Sequence, residues 1–397
     1  MTDRLYYNDS SLLRFDASVI EAGVHEGRPF VVLDRSAFYP TSGGQPFDTG
    51  TIDGRRVVDV FVRDEDEAVV HVLERTLDSG VRVEGVIDAA RRRDHMQQHS
   101  GQHVLSAAFV RTCGARTASF HLGAEVSTID LAASLDAGAI EAAEQEANRI
   151  VWEDRPVRVR YVSAEEAAAL PLRKEPVRGG TLRLVDIEDW DLSACGGTHV
   201  PRTGVIGLIA VTASERYKGG TRVSFACGGR ALRYLRMCRE ALGGAVRQLS
   251  VQPRELPDAV ARLQNETKAL RQQARALGER LAGFEAEELA QTACDLGGAR
   301  VVCAAVPGAD AQRLRALAQA IASRPGHAAV LVAEQRPAAV AAARSDGVGA
   351  DAALIVRELT ARFGGRGGGR PDMAQAGGLD AEPSAIVQAV VEFLNRA

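Results

Sequence analysis

Asp88-Ala-Ala-Arg-Arg-Arg-Asp-His-Met-Gln-Gln-His-Ser-Gly-Gln-His103 is where this chain changes period, and its reading decides the fold. Asp88 is of the type that caps helix N-termini, residues 89–111 read as helix, and Gly114 supplies a stop. His95, His99 and His103 recur every four residues and therefore share one face of that helix.

Upstream, residues 1–86 read as β-rich. Residues 28–34 form a short strand, and 51–63 contain a hairpin-like turn at Asp53-Gly54. Between them, 38–50 is a shaped loop rich in Pro and Gly. A small barrel would close such strands without exposed edges. Downstream, strand-like 125–131, a helix over 136–152, strand-like 157–162 and strands around 182–187, 205–212 and 221–227 suggest an α/β domain over 87–248.

Pro253 and Pro257 then introduce a long helix within 249–294. Val260, Leu263, Thr267, Leu270, Ala274, Leu277, Leu281 and Phe284 alternate spacings of three and four, a heptad seam. An internal strut and a dimer-forming coiled coil both fit. Residues 295–397 read as a compact α/β unit, with strands at 301–306 and 328–333 and helices at 310–323, 351–362 and 383–395. A glycine-rich loop, 364–378, joins the last two helices. The fold class is thus α+β and multidomain: a β-barrel-like N-terminal domain, an α/β domain, a long helix and a C-terminal α/β domain.

Length and composition fit this division. The 397 residues favour two to four domains, and 46% hydrophobic content supplies ordinary cores. A net charge of −4 means that a nucleic-acid partner would be met by local patches. No apolar run reaches the roughly 18 residues needed to span a bilayer, so no membrane is expected. The N-terminus lacks the apolar region of a secretory signal. Six cysteines are too scattered for a disulfide scaffold. A reduced, cytoplasmic setting is expected, which leaves Cys195 free to serve as a thiolate.

Cys195-Gly-Gly-Thr-His199 repeats the four-residue step of His99 and His103, although its two glycines place it on a loop. Three imidazoles and one thiolate match the tetrahedral preference of zinc. The separation of the two pairs excludes a zinc finger, so tertiary folding must join them. Ordinary packing explains either pair alone less well when both occur in one domain. Four protein ligands describe a closed site, whereas catalytic zinc normally keeps a position for water. One ligand, with His199 the candidate, is therefore expected to bind weakly or swing out. His95 lies one turn before His99; a non-ligand role is favoured, because four donors already suffice.

Taken together, the strings 95–103 (HMQQHSGQH), 195–199 (CGGTH), 38–50 (FYPTSGGQPFDTG) and 364–378 (GGRGGGRPDMAQAGG) resemble the alanyl-tRNA editing family. That family comprises the editing domain of alanyl-tRNA synthetase and its free-standing relatives. The first two strings resemble its zinc motifs, the third its substrate-facing loop, and the last its DHH-associated C-terminal domain. With no ATP-binding aminoacylation domain ahead of the β-rich region, the chain looks like the long free-standing form, AlaX-L. The resemblance implies zinc-dependent hydrolysis of the aminoacyl ester on tRNA(Ala) mischarged with serine, and sometimes glycine. Zinc would activate water, stabilise the oxyanion or hold the substrate.

Site residues follow from the same resemblance. His99, His103, Cys195 and His199 would hold zinc, and Thr41 and Gln45 would serve catalysis, with Thr41 sensing the serine hydroxyl. Ser42, Gly43, Gly44, His95 and Arg222 would contact substrate. Thr41 and Ser42 could instead simply shape a turn. Arg91, Arg92, Lys218, Arg366 and Arg370 are candidates for tRNA phosphates, although a solvated face explains the first two and hairpin-turn duty Lys218 equally well; a flexible linker would explain the last two, but Pro371-Asp-Met-Ala-Gln375 is less bland than linker composition. The C-terminal unit, or the long helix, would support a homodimer. Two other classes remain open: a non-catalytic tRNA-binding protein with structural zinc, and a DHH-type phosphoesterase. Against the latter, Asp94-His95 is followed by Met96 rather than a second histidine, and a cysteine ligand favours zinc over manganese. A metalloprotease lacks its His-Glu-x-x-His pattern.

Overall fold

Arg14–His25 and Arg28–Leu33 open a closed antiparallel barrel completed, in spatial order, by Val69–Leu73, Arg55–Val62, Gly50–Ile52 and Arg82–Ile87. The computed structural model describes residues 2–173, 180–296 and 298–396. Val19, Val31, Leu33, Ile52, Val57, Val69, Leu73 and Ile87 fill the barrel from alternate strand positions. The expected turn at Asp53-Gly54 is present, with φ of 49° and 73°, the two positive angles that a two-residue hairpin loop requires. The barrel's function in the fold is to carry the 38–50 loop. Phe38 and Asp48, near the loop's two ends, are both fully buried.

Helix α1, Ala89–Cys113, begins as expected: Asp88 accepts from the backbone N–H groups of Ala90 and Arg91, and Gly114 ends the helix at φ 65°. Its middle is unusual in being both buried and polar, with Gln98, His99, Ser100, Gln102, His103 and Ser106 all inside. Such a helix is stable only if those groups find partners. Gln98 shows how: its amide accepts from Cys227 N at 2.8 Å and donates to Cys227 O at 3.1 Å, fastening α1 to the Gly220–Cys227 strand. That strand belongs to an antiparallel sheet with Ile209–Tyr217, Ser127–Leu131 and Thr117–Leu122. Helix α2, Ala137–Trp152, packs beside α1, and a three-stranded sheet (Val157–Val162, Leu182–Ile187, Asp191–Ala194) leads into the Cys195 loop. A single helical turn, α3 (Ala164–Ala168), follows the first of these strands.

Arg92 departs from expectation. Read as a phosphate contact, it is 1% exposed and bonded to Asp48 at 2.5 Å, with further donations to Ser10 O and Ala37 O. The Arg91–Arg93 run looks solvated in sequence because the partner carboxylate lies 44 positions away. The guanidinium joins α1 to the barrel and is sealed from any RNA outside.

The chain divides into two compact units, Met1–Ala245 and Val246–Ala397, with the boundary inside a helix, α4 (Gly229–Leu249), that follows directly on the last strand of the first unit. The second unit holds α5 (Leu256–Gln291) and a six-stranded sheet covered by α6 (Ala311–Ala322), α7 (Ala352–Phe363) and α8 (Pro383–Leu394). Helix α5 turns its small residues Ala282, Ala286 and Ala290 inward and packs against α6. The heptad leucines, including Leu270 at 64% exposure and Leu277 at 61%, stand in solvent. The seam is therefore not what packs α5 within this unit. The expected glycine loop is instead an antiparallel hairpin, Arg366–Arg370 with Met373–Leu379, at the sheet's edge. Gly367 and Gly369 lie so close to the partner strand that a Cβ would fall within 2.3 Å of it. Among the described residues no helix is long and apolar enough to cross a membrane.

The buried Arg92–Asp48 pair yields a stability prediction. Arg92→Met strands a buried carboxylate and should cost about 3–5 kcal/mol in urea unfolding, and Asp48→Leu added to it should recover most of that. Equal stability of Arg92→Met and the parent would show the pair to be incidental.

Candidate metal centre and substrate loop

The first ligand pair comes from one helix and the second from one loop. On α1, His99 and His103 project to the same side, with ring centroids 5.4 Å apart. The 195–199 loop curls against them because Gly197 has no side chain: a Cβ there would lie 2.1 Å from His99 Cε1. Cys195 Sγ is 3.3 Å from both His99 Nε2 and His199 Nε2, and the donor atoms of all four residues lie within 4.8 Å of one another. A tetrahedral ion bonded at about 2.0–2.3 Å separates its donors by about 3.3–3.7 Å, so the group could hold a metal ion once its wider pairs draw in.

Each imidazole is held from behind. His99 Nδ1 donates to Gln45 Oε1 at 2.8 Å, His103 Nδ1 to Asp191 Oδ2 at 2.9 Å, and His199 Nδ1 meets Ser100 Oγ at 3.1 Å. The amide oxygen and the carboxylate fix the tautomers of His99 and His103 with Nε2 toward the common centre, the arrangement seen around metal-ligating histidines, while the Ser100 hydroxyl orients the His199 ring. The electrostatics agree. Burial alone would raise the Cys195 pKa, but His99, His199 and the hydrogen bonds of His103 and His199 bring it well below the ordinary thiol value. Burial lowers His199 to about 3, so its ring is neutral. Burial also acts against a proton on His103, yet the bonds to Asp191 and Cys195 raise its pKa, so a metal would compete there with a proton. Asp191 stays ionised because His103 and Arg173 outweigh its burial.

Gln45 joins this centre to the loop borne by the barrel. Besides accepting from His99, its Oε1 accepts from Thr198 N at 3.2 Å, and its Nε2 donates to Thr198 Oγ1 at 2.9 Å. Gln45 is buried, and its amide ties His99 to the Thr198 loop. Just before it, Thr41, Ser42, Gly43 and Gly44 are exposed. Ser42 and Gln45 bond each other's backbones across Gly43 and Gly44, whose φ of 54° and 83° make the tight turn. The tip rests on the Thr117–Leu122 strand, where Leu122 N donates to Gly44 O, and Phe120 lies between that tip and His99. Thr41 is anchored through its own N–H to Val60 O, with its side chain outward.

Other sequence candidates fall elsewhere. His95 is buried beside Arg91 and outside the four-donor group; Nδ1 has no partner among the described residues, and burial, then Arg91, lowers its pKa to about 4. Arg222 bonds Asp130 at 2.6 Å and stacks 3.6 Å from the Tyr217 ring centre. Lys218, at φ 46°, and Gly219, at 81°, form that hairpin's turn. Arg91 donates to Phe47 O. Arg366 and Arg370 stand exposed on the edge hairpin of the second unit, the latter beside Asp372.

Sequence reasoning missed Asp191, Ser100 and Arg183. The first two had a local signal, lying four residues before Cys195 and inside the histidine string. Arg183 had none: it donates to Cys195 O at 2.6 Å, 12 positions on, and to Tyr7 O at 3.0 Å, 176 positions away, a buried clamp between the Cys195 loop and the N-terminal segment.

Comparison with known proteins relates the chain to alanine–tRNA ligases. Residues 182–224 match the family described as threonyl and alanyl tRNA synthetase second additional domain, residues 298–396 the DHHA1 domain, and residues 2–91 tRNA synthetases class II (A). The alanine–tRNA ligase of Pyrococcus abyssi is 33% identical over 407 residues, which cover 99% of this chain and 44% of that one. That of Pyrococcus furiosus is 34% identical over 397 residues, covering 94% and 42%. The chain thus spans less than half the length of these curated relatives. The solved C-Ala domain of Aquifex aeolicus alanyl-tRNA synthetase covers 26% of this chain and 97% of its own at 21% identity, with a TM-score of 0.24, too low to argue from.

The contact at Gly197 can be tested directly. Gly197→Ala must displace His99, and cobalt(II) titration should show affinity weaker by at least about tenfold, with the circular dichroism unchanged. Equal affinity would remove His99 from the ligand set.

Proposed function

We infer that this relative of the alanine–tRNA ligases hydrolyses the aminoacyl ester of tRNA(Ala) wrongly charged with serine, or with glycine, at a zinc centre. The observation that carries the reading is the Gln45 carboxamide, which bonds a metal-type ligand and ends the exposed loop beside it. A loop that contacted substrate would thereby be held in register with the ion. His99, His103, Cys195 and His199 would hold the zinc; their softness and tetrahedral spacing suit it better than a hard cation. When bound, zinc supplies a Lewis acid for the ester carbonyl or for water.

The protein's own residues do the rest. Asp191 and Gln45 hold His103 and His99 through a carboxylate and an amide, whereas His199 has only the neutral Ser100 hydroxyl. His199 is accordingly the most weakly held ligand, and the one suited to yield a position. Thr41 offers an outward hydroxyl on an anchored backbone, next to the Gly43-Gly44 turn that lets a ligand approach the main chain. A site that hydrogen-bonds the serine hydroxyl can spare alanyl esters by as much as roughly 10⁴–10⁵. Of the other readings, the complete four-donor set favours structural zinc in a tRNA-binding protein. A DHH-type phosphoesterase gains nothing, because Asp94 is taken by Arg230 and His95 lies outside the cluster.

Zinc-loaded protein should deacylate Ser-tRNA(Ala), leave Ala-tRNA(Ala) intact and stop when chelated, and Cys195→Ala should lose zinc and activity together. Protein that binds Ser-tRNA(Ala) but leaves it charged would establish the structural-zinc reading instead. Thr41→Val should retain its metal while serine-over-alanine selectivity falls on the order of tenfold or more. Unchanged selectivity would move the sensor elsewhere.

A further inference from the structure

The second turn of α1 and the first of α4 are tied together by Asp94 and Arg230, and from that knot a row of arginines runs outward. Arg230 bonds Asp94 at 2.6 Å and Gly123 O at 2.7 Å, while Arg233 lies 3.8 Å from the same carboxylate with 68% of its side chain exposed. Arg236 and Arg239 follow at three-residue steps, each adding about 4.5 Å of rise and turning the row by about 60° around the helix. Both are exposed and have no carboxylate within ion-pair distance among the described residues. Glu240 is the one acid in residues 229–245, against four arginines. On α1, exposed Arg93 precedes Asp94, and Arg91 lies over the Phe47 ring, two residues beyond Gln45.

A row of like charges on one helix repels itself, and in a chain whose net charge is −4 it is a local exception. We propose that Arg91, Arg93, Arg233, Arg236 and Arg239 form a track for the sugar–phosphate backbone of an RNA duplex, the paired arm behind the esterified 3′ end. The inference rests on the deacylase reading for its substrate. Arginine forks suit phosphate oxygens, and duplex RNA is gripped by its backbone and shape, because side chains do not read its deep groove. Position favours RNA over a lipid surface. The track begins beside the Gln45 loop, and Arg91 lies eight residues, about 12 Å along the axis, from His99. That offset leaves room for a short unpaired 3′ end to reach the centre.

The test is the triple variant Arg233→Gln/Arg236→Gln/Arg239→Gln, which keeps Arg230 and its pair with Asp94. The probe is an uncharged RNA hairpin of acceptor-stem length with an unpaired 3′ end, titrated at several salt concentrations. Affinity should fall at least about tenfold, and the log–log salt slope should drop by about one per lost contact. Hydrolysis of the seryl ester of adenosine alone, which does not reach the track, should stay at the parent rate. Unchanged hairpin affinity and slope would overturn the proposal. So would arginine-dependent binding to anionic phospholipid vesicles with hairpin binding intact. A parent protein that binds the hairpin through these arginines but hydrolyses no seryl ester would overturn the deacylase reading and leave the track standing.

Discussion

One side-chain amide holds the candidate site together. Gln45 belongs to a barrel loop, His99 to a helix and Thr198 to a second loop, and the Gln45 carboxamide bonds the other two at once. It is buried, so leaving any of these bonds unmade would cost the full desolvation of a polar group. The three segments are thus constrained to one arrangement, in which His99 Nε2 faces Cys195 and the Gly43-Gly44 turn lies on the Thr117–Leu122 strand. Gly197 is required for the same reason, because nothing larger than hydrogen fits between its backbone and His99.

A polar helix through the middle of the first unit follows from this design. Burying Gln98, His99, Ser100 and His103 gives up hydrophobic stabilisation that an apolar helix would supply, and each must be matched elsewhere. The matches come from distant parts of the chain: Cys227, Gln45, His199 with Val200, and Asp191. Arg92 extends the pattern as a buried charge, with Asp48 opposite it and carbonyls around it. The network makes the fold specific, since a shift of α1 by one residue would unpair most of it at once.

The sequence disclosed what depends on spacing and concealed what depends on distance. The four-residue step at His99/His103 was legible because residues one turn apart share a helix face, and that at Cys195/His199 through the rarity of its Cys-Gly-Gly-Thr-His string. The Asp88 cap, the Asp53-Gly54 hairpin and the strands at 157–162 and 182–187 were legible through local chemistry. By contrast, nothing near Arg92 announces Asp48, and nothing near Arg183 announces the Tyr7 carbonyl. The glycine run at 364–378 read as a loop because glycine weakens strands in isolation. Here a close strand pairing requires it. The leucine seam of α5 fitted an internal strut or a coiled coil; within its own unit alanines face α6 instead, because small residues let that helix approach.

Substrate handling depends on the centre where these segments meet. Zinc-edge X-ray absorption, recorded on the protein alone and with a non-hydrolysable seryl analogue of the terminal adenosine, addresses it directly. The account predicts one sulfur at about 2.3 Å and nitrogens at about 2.0–2.1 Å, with a nitrogen lost or a light atom gained when the analogue binds. A shell without sulfur, or one that the analogue leaves unaltered, would contradict a substrate-handling metal centre at this junction.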